Sequence, residues 1–399
     1  MGLNYYNYDF QSGTNSGLLI GMLLAALSYV FISIGTLGLG VDFDLVRLVL
    51  LPAWLLAMIL VLRANVLKLR VIPVLLFLLC AIYLLIQLYR SEKIELALAK
   101  VDGVLIGGII LYCTWRTGLL LYGERFIDMF IQVGLLFLFL TFMYKLNAGF
   151  WDRGVRFFIN GPNVYGWILA LLSILSIYRF SLTKNKRYIV FILLFVVAIF
   201  WTQSKGPFVA LIGGGFAYML VSGGVKHLLV ALVSFLVIVL TLWLNDLIPA
   251  RYLVFFNLMD SNFLQDNYGS IGIRFSMLID GINIFLNNMA FGIGMANWDL
   301  YSSTSESNGP ISHPHNIVVE LLAEHGAAGF LLFGFTLLAI FVKTTKLGKA
   351  VVAIFLIGLM FSGDMTYWRL LYALPLALMP IKNVKWNTLS IYRYQNKET

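Results

Sequence analysis

The chain has 399 residues, of which 60% are hydrophobic and only 12% charged, and it carries a formal net charge of +9. A soluble domain has about a quarter charged residues, and a chain of this size cannot hide so much apolar surface from water, so a soluble globular protein is excluded and lipid must be the solvent. The positive charge does not mark a nucleic-acid binder, because membrane topology explains its distribution along the chain.

In chain order, the first 16 residues are polar and hold no Lys or Arg, unlike the basic start of a signal peptide. Apolar runs broken by charged or turn-rich stretches follow near residues 17–40, 46–62, 71–89, 100–115, 126–144, 163–178, 188–201, 207–222, 228–244, 316–342, 350–362 and 367–381. They predict an all-α polytopic membrane protein of about twelve transmembrane helices, forming a single integral membrane domain over residues 1–399. Cys80 and Cys113 fall inside such runs and read as small core residues rather than a disulfide framework. No internal repeat is visible, which weakens a transporter built from inverted halves.

With the N-terminus placed in the cytoplasm, Arg63, Lys68, Arg70, Arg116, Arg125, Arg179, Lys184, Lys186, Arg187, Lys226, Lys343, Lys346, Lys349, Lys382, Lys385, Arg393 and Lys397 all lie inside. Few acidic residues share that side, so the positive-inside rule supports this orientation and places both termini inside. Two outer segments are then long. Residues 145–162 read KLNAGFWDRGVRFFINGP, and residues 245–315 form a large periplasmic loop. Within that loop Ile273 to Met289 has apolar residues at helical spacing among Arg274, Asp280, Asn283 and Asn287, which predicts an amphipathic helix on the outer membrane surface. The stretch FGIGM beginning at Phe291 predicts a turn.

Chemistry concentrates at the end of this loop. His313, His315 and His325 fall within SHPHNIVVELLAEHGAAGF. Ser312 is a candidate cap and Pro314 suits a first helical turn, which puts His315 at a helix N-terminus on the outer face. Free N–H groups and the positive dipole end there favour a diphosphate, and they favour the neutral imidazole that a base needs. Asn316 and Glu320 share a helix face, and Gly326 follows His315 by about three turns. Gly326 and Gly329 permit close helix packing. Glu320, Glu324 and His325 are ionisable groups inside a span, which usually face a cavity or a partner rather than lipid. The outer cations Arg153, Arg156, Lys205 and Arg274 are candidates for holding a lipid diphosphate. Asn163, in the turn GPN, and His313 complete the candidate binding set. No metal-binding motif is visible, and no P-loop.

The spacing His-Asn, nine residues, Gly, two residues, Gly is met by His315, Asn316, Gly326 and Gly329, and it resembles the signature of the O-antigen polymerase and O-antigen ligase superfamily. GPNVYG at 161–166, TQSKGP at 202–207, IRFSMLIDGI at 273–282 and FGIGMANW at 291–298 agree in kind and order. The resemblance implies a metal-independent, cofactor-free glycosyltransferase of the GT-C fold in the bacterial inner membrane, with a glycan on undecaprenyl diphosphate as donor. It implies that His315 is catalytic and that Arg274 touches diphosphate or glycan. Lys205 stands where the family commonly has Arg, keeping charge but losing the planar fork. Chain-length regulator and flippase proteins are the partners it suggests. The expected function is O-antigen polymerase, joining lipid-linked units by inverting transfer at the periplasmic face. The alternative is O-antigen ligase, moving the glycan to lipid A–core, and a lipid-linked glycan transporter or flippase is a lower one.

Overall fold

A computed structural model describes residues 15–33, 71–149, 161–222, 269–308 and 311–380, and the described elements are all helical. In chain order they are α1 (Asn15–Ser33), α2 (Val71–Tyr89), α3 (Ile94–Val101), a π turn (Asp102–Ile106), α4 (Gly107–Tyr122), α5 (Glu124–Ala148), α6 (Gly161–Thr183), α7 (Arg187–Trp201), α8 (Lys205–Ser222), α9 (Gly269–Asn287), the short α10 (Trp298–Tyr301) and α11 (Ser303–Asn308), α12 (Ile317–Lys343), α13 (Lys346–Ser362) and α14 (Trp368–Ala377).

Among the described residues six helical stretches are long and apolar enough to cross a membrane, and α1 and α7 contribute shorter apolar helices. The expected spans at 46–62 and 228–244 lie outside the described residues, so the described part carries fewer spans than the twelve expected from sequence. One span differs in kind. The run expected at 100–115 is part of a continuous stretch, Ile94–Tyr122, interrupted by the π turn. The helix therefore begins earlier than the apolar run, because Lys100 is buried by an ion pair rather than left at a water boundary.

The core forms around α6, whose residues from Val164 to Ser176 are all buried. It packs against α5, α7, α8 and α13. With lipid outside, there is no hydrophobic drive between helices, and close approach has to come from small residues. A side chain at Gly213 or Gly214 of α8 would run into Ile357 or Ile354 of α13, and one at Gly358 of α13 would lie 2.7 Å from the Trp167 Nε1 of α6. Buried hydroxyls stay satisfied within their own helices. Ser28, Ser173 and Ser176 each donate to the carbonyl four residues earlier at 2.8 Å. One face of α2 shows Ile72, Leu75, Leu79, Ile82 and Ile86, all exposed, as a lipid-facing surface requires.

The loops gather at two ends. At one end Arg179 pairs with Glu124 and Asp128, Tyr122 donates to the Gly17 carbonyl at 2.7 Å, and Thr344 donates to the Pro375 carbonyl at 2.7 Å. At the other end Lys93 pairs with Asp299, the Glu92 N–H donates to Asn297 Oδ1 at 2.9 Å, and Asn163 donates to Ser362 Oγ. The amphipathic helix expected at Ile273–Met289 is α9. Its Met277 and Ile284 pack with Trp298, Val319 and Ala323, while Phe275, Leu278, Ile279, Ile282 and Leu286 are exposed.

The long helix α12 is not straight. Gly326 has φ +65° and ψ −168°, so the helix is broken there, and the expectation that Gly326 lies three regular turns beneath His315 fails. The break frees backbone groups, and the expected turn after Phe291 takes them up. The Ile293 and Gly294 N–H groups donate to the Ala323 and Glu324 carbonyls at 3.0 Å, and the Ala327 and Ala328 N–H groups donate to Met289 and Ala290 at 2.8 and 3.1 Å. The loop comes so close that a Cβ at Gly326 would lie 2.5 Å from the Gly292 nitrogen. Gly326→Ala therefore combines a left-handed φ with a backbone clash, and each is a recognised source of large destabilisation. We expect that variant to lose more than about 2 kcal/mol and to accumulate poorly in membranes, while Gly334→Ala, where a Cβ meets nothing, is neutral. Thermal unfolding in detergent checks this, and equal midpoints for the two variants would refute the account of the break.

Candidate functional site

Of the residues singled out in the sequence, His313, His315 and Asn316 stand at the end of the bundle where α12 begins, and Asn163 and Lys205 lie at the same end. Helix α12 starts at Ile317, and its cap is Asn316, whose Oδ1 accepts from the Val318 and Val319 N–H groups at 3.0 and 3.2 Å. Ser312 is not the cap. Its hydroxyl lies 3.0 Å from His313 Nδ1. Pro314 is therefore outside the helix, and His315 is the residue just before the cap. His315 has φ +54°, a left-handed conformation that a non-glycine residue adopts only when its surroundings enforce it.

The two histidines stand edge to face, with ring centroids 4.3 Å apart. Both are held neutral. Burial is the main cause of lowering His315, from 6.5 to about 4, with His313 and Arg274 adding to it and Asp364 opposing. Burial also lowers His313, against a raising effect of Asp364 and with a smaller lowering from Lys100. The structure thus places Arg274 of α9 and Asp364, in the turn between α13 and α14, within electrostatic range of His315. His315 Nδ1 is buried and makes no hydrogen bond. A bare nitrogen on a neutral imidazole can accept a proton.

The other candidates are distributed around this point. Asn163 opens α6 and reaches Ser362, two residues from Asp364. Lys205 opens α8, whose next residue, Gly206, would meet Phe361 if it carried a Cβ. Those two therefore sit with the α13–α14 turn. Arg153 and Arg156 lie outside the described residues. Glu320 is fully buried and paired with Lys100 at 2.6 Å, so its place is beneath the surface rather than on it. Glu324 shares the same lysine. His325 is wholly buried between Tyr83 and Phe333, with ring centroids 5.9 and 6.0 Å away. Neither of its ring nitrogens has a hydrogen-bond partner.

Three neighbours of these residues were not singled out from the sequence. Lys100 reads as the edge of an apolar run, Asp364 as a polar break between two spans, and Arg90 as one more loop cation. Arg90 donates to the Phe291 and Gly292 carbonyls at 2.7 and 2.8 Å and so clamps the loop that closes the α12 break. The signal available for Lys100 was a charge seven residues into an apolar helical stretch, between Glu95 and Asp102.

The fold and site define a polytopic helical membrane protein with a half-buried histidine and nearby cations at one end of the bundle. Residues 189–334 match the family model for O-antigen ligase, which supports the resemblance to the O-antigen polymerase and ligase superfamily. The match spans Lys205, Arg274, His313, His315, Asn316, Glu320 and Glu324. A search of curated proteins finds no match to the chain.

The cap separates two roles for Asn316. Asn316→Ala should lower stability by about 1 kcal/mol, the usual worth of an N-cap, and Asn316→Ser should restore it. The check is the thermal midpoint of each variant together with its turnover. Stability unchanged in the alanine variant would mean that the side chain is not acting as a cap.

Proposed function

We propose that this chain is a membrane glycosyltransferase that moves a glycan from a polyprenyl diphosphate to the hydroxyl of a second glycan, with His315 as the base. The observation that supports it most is His315 itself, a neutral, strained histidine with a bare buried nitrogen, within electrostatic range of Arg274 and next to the N-terminus of α12. The acceptor hydroxyl gives its proton to the imidazole as its oxygen attacks the anomeric carbon. The bond from that carbon to the diphosphate breaks, and the electron pair stays on the diphosphate oxygen. Arg274, with Lys205, Arg153 and Arg156, takes the developing charge, which in a partly dry site is a large effect. A single displacement inverts the anomeric centre, and amino-acid cations do the work without a metal.

Undecaprenyl diphosphate is the carrier we propose, and the acceptor is a second lipid-linked unit, which makes the protein an O-antigen polymerase. The site then faces the periplasm from the bacterial inner membrane, with both termini in the cytoplasm, in keeping with the charge asymmetry of the loops. The matched family is equally compatible with a second reading, in which the acceptor is lipid A–core and the protein a ligase. A broken helix with charged groups near its break also occurs in transporters. Here the break in α12 is closed by hydrogen bonds from the 289–294 loop, which favours surface chemistry over passage.

Positioned bases typically contribute about a hundredfold to ten-thousandfold. His315→Ala should cut transfer on that scale with normal protein levels. The wild-type rate should hold as pH falls through 6.5 and decline only toward about 4, because the neutral imidazole persists down to its lowered pKa. Arg274→Lys should recover part of the loss seen in Arg274→Ala if charge alone matters, and little if a bidentate contact matters. His325→Ala should lower abundance before turnover, as expected of a packed core residue. Turnover per folded protein decides the assignment, and a fully active His315→Ala beside an inactive His325→Ala would put the base at the wrong end of the outer half-helix.

A further inference from the structure

Between α9 and α12 the segment that carries α10 and α11 walls an open pocket of about 600 Å³ that the transfer step leaves unused. Its lining includes Asp299, Tyr301, Ser302, Ser303, Ser305 and Glu306. A pocket of this size is in the range that holds a small molecule. A wall this polar cannot face acyl chains, so the pocket opens to water. In this it differs from the apolar face of α9, where Leu278, Ile282 and Leu286 are exposed.

The wall is braced from behind. Asp280 of α9 accepts from the Ser302 and Ser303 hydroxyls at 2.8 and 2.7 Å and from the Thr304 N–H at 2.7 Å. The Ser305 hydroxyl donates to the Ile311 carbonyl at 3.2 Å. Ile311 packs on the cluster of Met277, Ile284, Trp298 and Val319 that joins α9 to the start of α12. His313 follows Ile311 by two residues, and Arg274 precedes Asp280 by less than two turns of α9. The pocket is therefore fixed to the same elements, α9 and the approach to α12, that carry Arg274 and His315.

The chemistry of the wall selects its ligand. Asp299 spends one oxygen, Oδ2, on Lys93, and its side chain is only 9% exposed. The other oxygen, Oδ1, is buried and has no hydrogen-bond partner. Glu306 is exposed. With the Ser305 proton committed to Ile311, the side chains of the wall offer mainly acceptors, and a ligand has to bring donors. A diphosphate brings acceptors and negative charge, which two carboxylates repel. A cation meets Lys93 at Asp299, and among the described residues no group of three His, Cys, Asp or Glu is placed to hold a metal. A polyhydroxy compound fits. Its hydroxyls donate to carboxylates in charge-assisted bonds, and the half-exposed Tyr301 ring offers an apolar face to the C–H side of a sugar.

We propose that this pocket is a saccharide subsite that binds a sugar residue of the lipid-linked glycan away from the bond being made, a role that rests on the transfer reading above. It gives the protein a hold on the glycan separate from its hold on the diphosphate. Binding energy gathered on a remote part of the substrate then helps to place the reacting end.

The test uses the full chain in lipid nanodiscs and two probes, the lipid-free oligosaccharide cut from the lipid-linked substrate and calcium chloride alone. Calorimetry should show that the wild type and His315→Ala bind the oligosaccharide alike. Glu306→Gln and Tyr301→Ala should each weaken it on the order of tenfold, the effect of losing one hydrogen bond to a charged group or a comparable contact. Both side chains are exposed, so thermal midpoints should hold, and either variant suffices should the other fail to accumulate. In the transfer assay the loss should fall on KM for the lipid-linked oligosaccharide more than on kcat. Wild-type binding and KM in these variants, or binding of calcium without binding of the oligosaccharide, overturns the subsite. Transfer by the wild type beside unaffected variants removes the subsite and leaves the reaction standing. Oligosaccharide bound, and bound more weakly by Glu306→Gln, in a chain that transfers nothing removes the reaction and leaves a carbohydrate-binding pocket.

Discussion

In a membrane a backbone N–H or C=O without a partner costs several kcal/mol, so an interrupted helix survives only where other protein groups satisfy it. The break of α12 at Gly326 is such an interruption, and the loop from Met289 to Gly294 satisfies it by donating to the carbonyls above the break and accepting from the N–H groups below. Much of the site follows from that one fit. It holds the half-helix that begins at Ile317 and carries Glu320 and Glu324. It brings Ala296 to Glu324, and Arg90 and Gln87 of the α2 end to the Phe291 carbonyl. Tyr83 takes the remaining exposed carbonyl, that of His325, at 2.6 Å.

The second organising feature is charge in a place with little water. Lys100 pairs with Glu320 and Glu324 in the interior, where any one of them alone would be strongly destabilising. Above them the imidazoles of His313 and His315 stay neutral because burial and neighbouring cations disfavour the protonated form. The arrangement suits a reaction that moves one proton and leaves negative charge on a diphosphate. Arg274, on the helix that flanks α12, is within electrostatic range of His315.

The sequence revealed the elements better than the connections between them. Hydropathy marked most described spans to within a few residues, since α2, α7 and α13 are bounded by charges or turns that lipid does not tolerate. The His-Asn pair, the FGIGM turn and the amphipathic helix were legible because each has a local signature. Misreadings arose where tertiary contacts override local rules. The Lys100 helix starts before its apolar run because a carboxylate pair two hundred residues away neutralises the lysine. Ser312 was as good a cap by composition as Asn316, and only the chain path decides between them. The break at Gly326 looked like a packing glycine, because a positive φ leaves no mark in sequence beyond the glycine itself. Asp364 was invisible as a site residue, since its nearness to His315 depends on how α13 and α14 return to the same end of the bundle.

Transfer itself is the claim on which the rest depends, and it can be observed directly. The purified chain in liposomes, given a defined undecaprenyl-diphosphate-linked oligosaccharide as both donor and acceptor, should produce lipid-linked glycans longer by whole repeat units. Free undecaprenyl diphosphate should appear in proportion to the bonds formed. Oligosaccharide of unchanged length, recovered on the opposite leaflet with its diphosphate linkage intact, would contradict the account and make the protein a carrier of lipid-linked glycan rather than an enzyme.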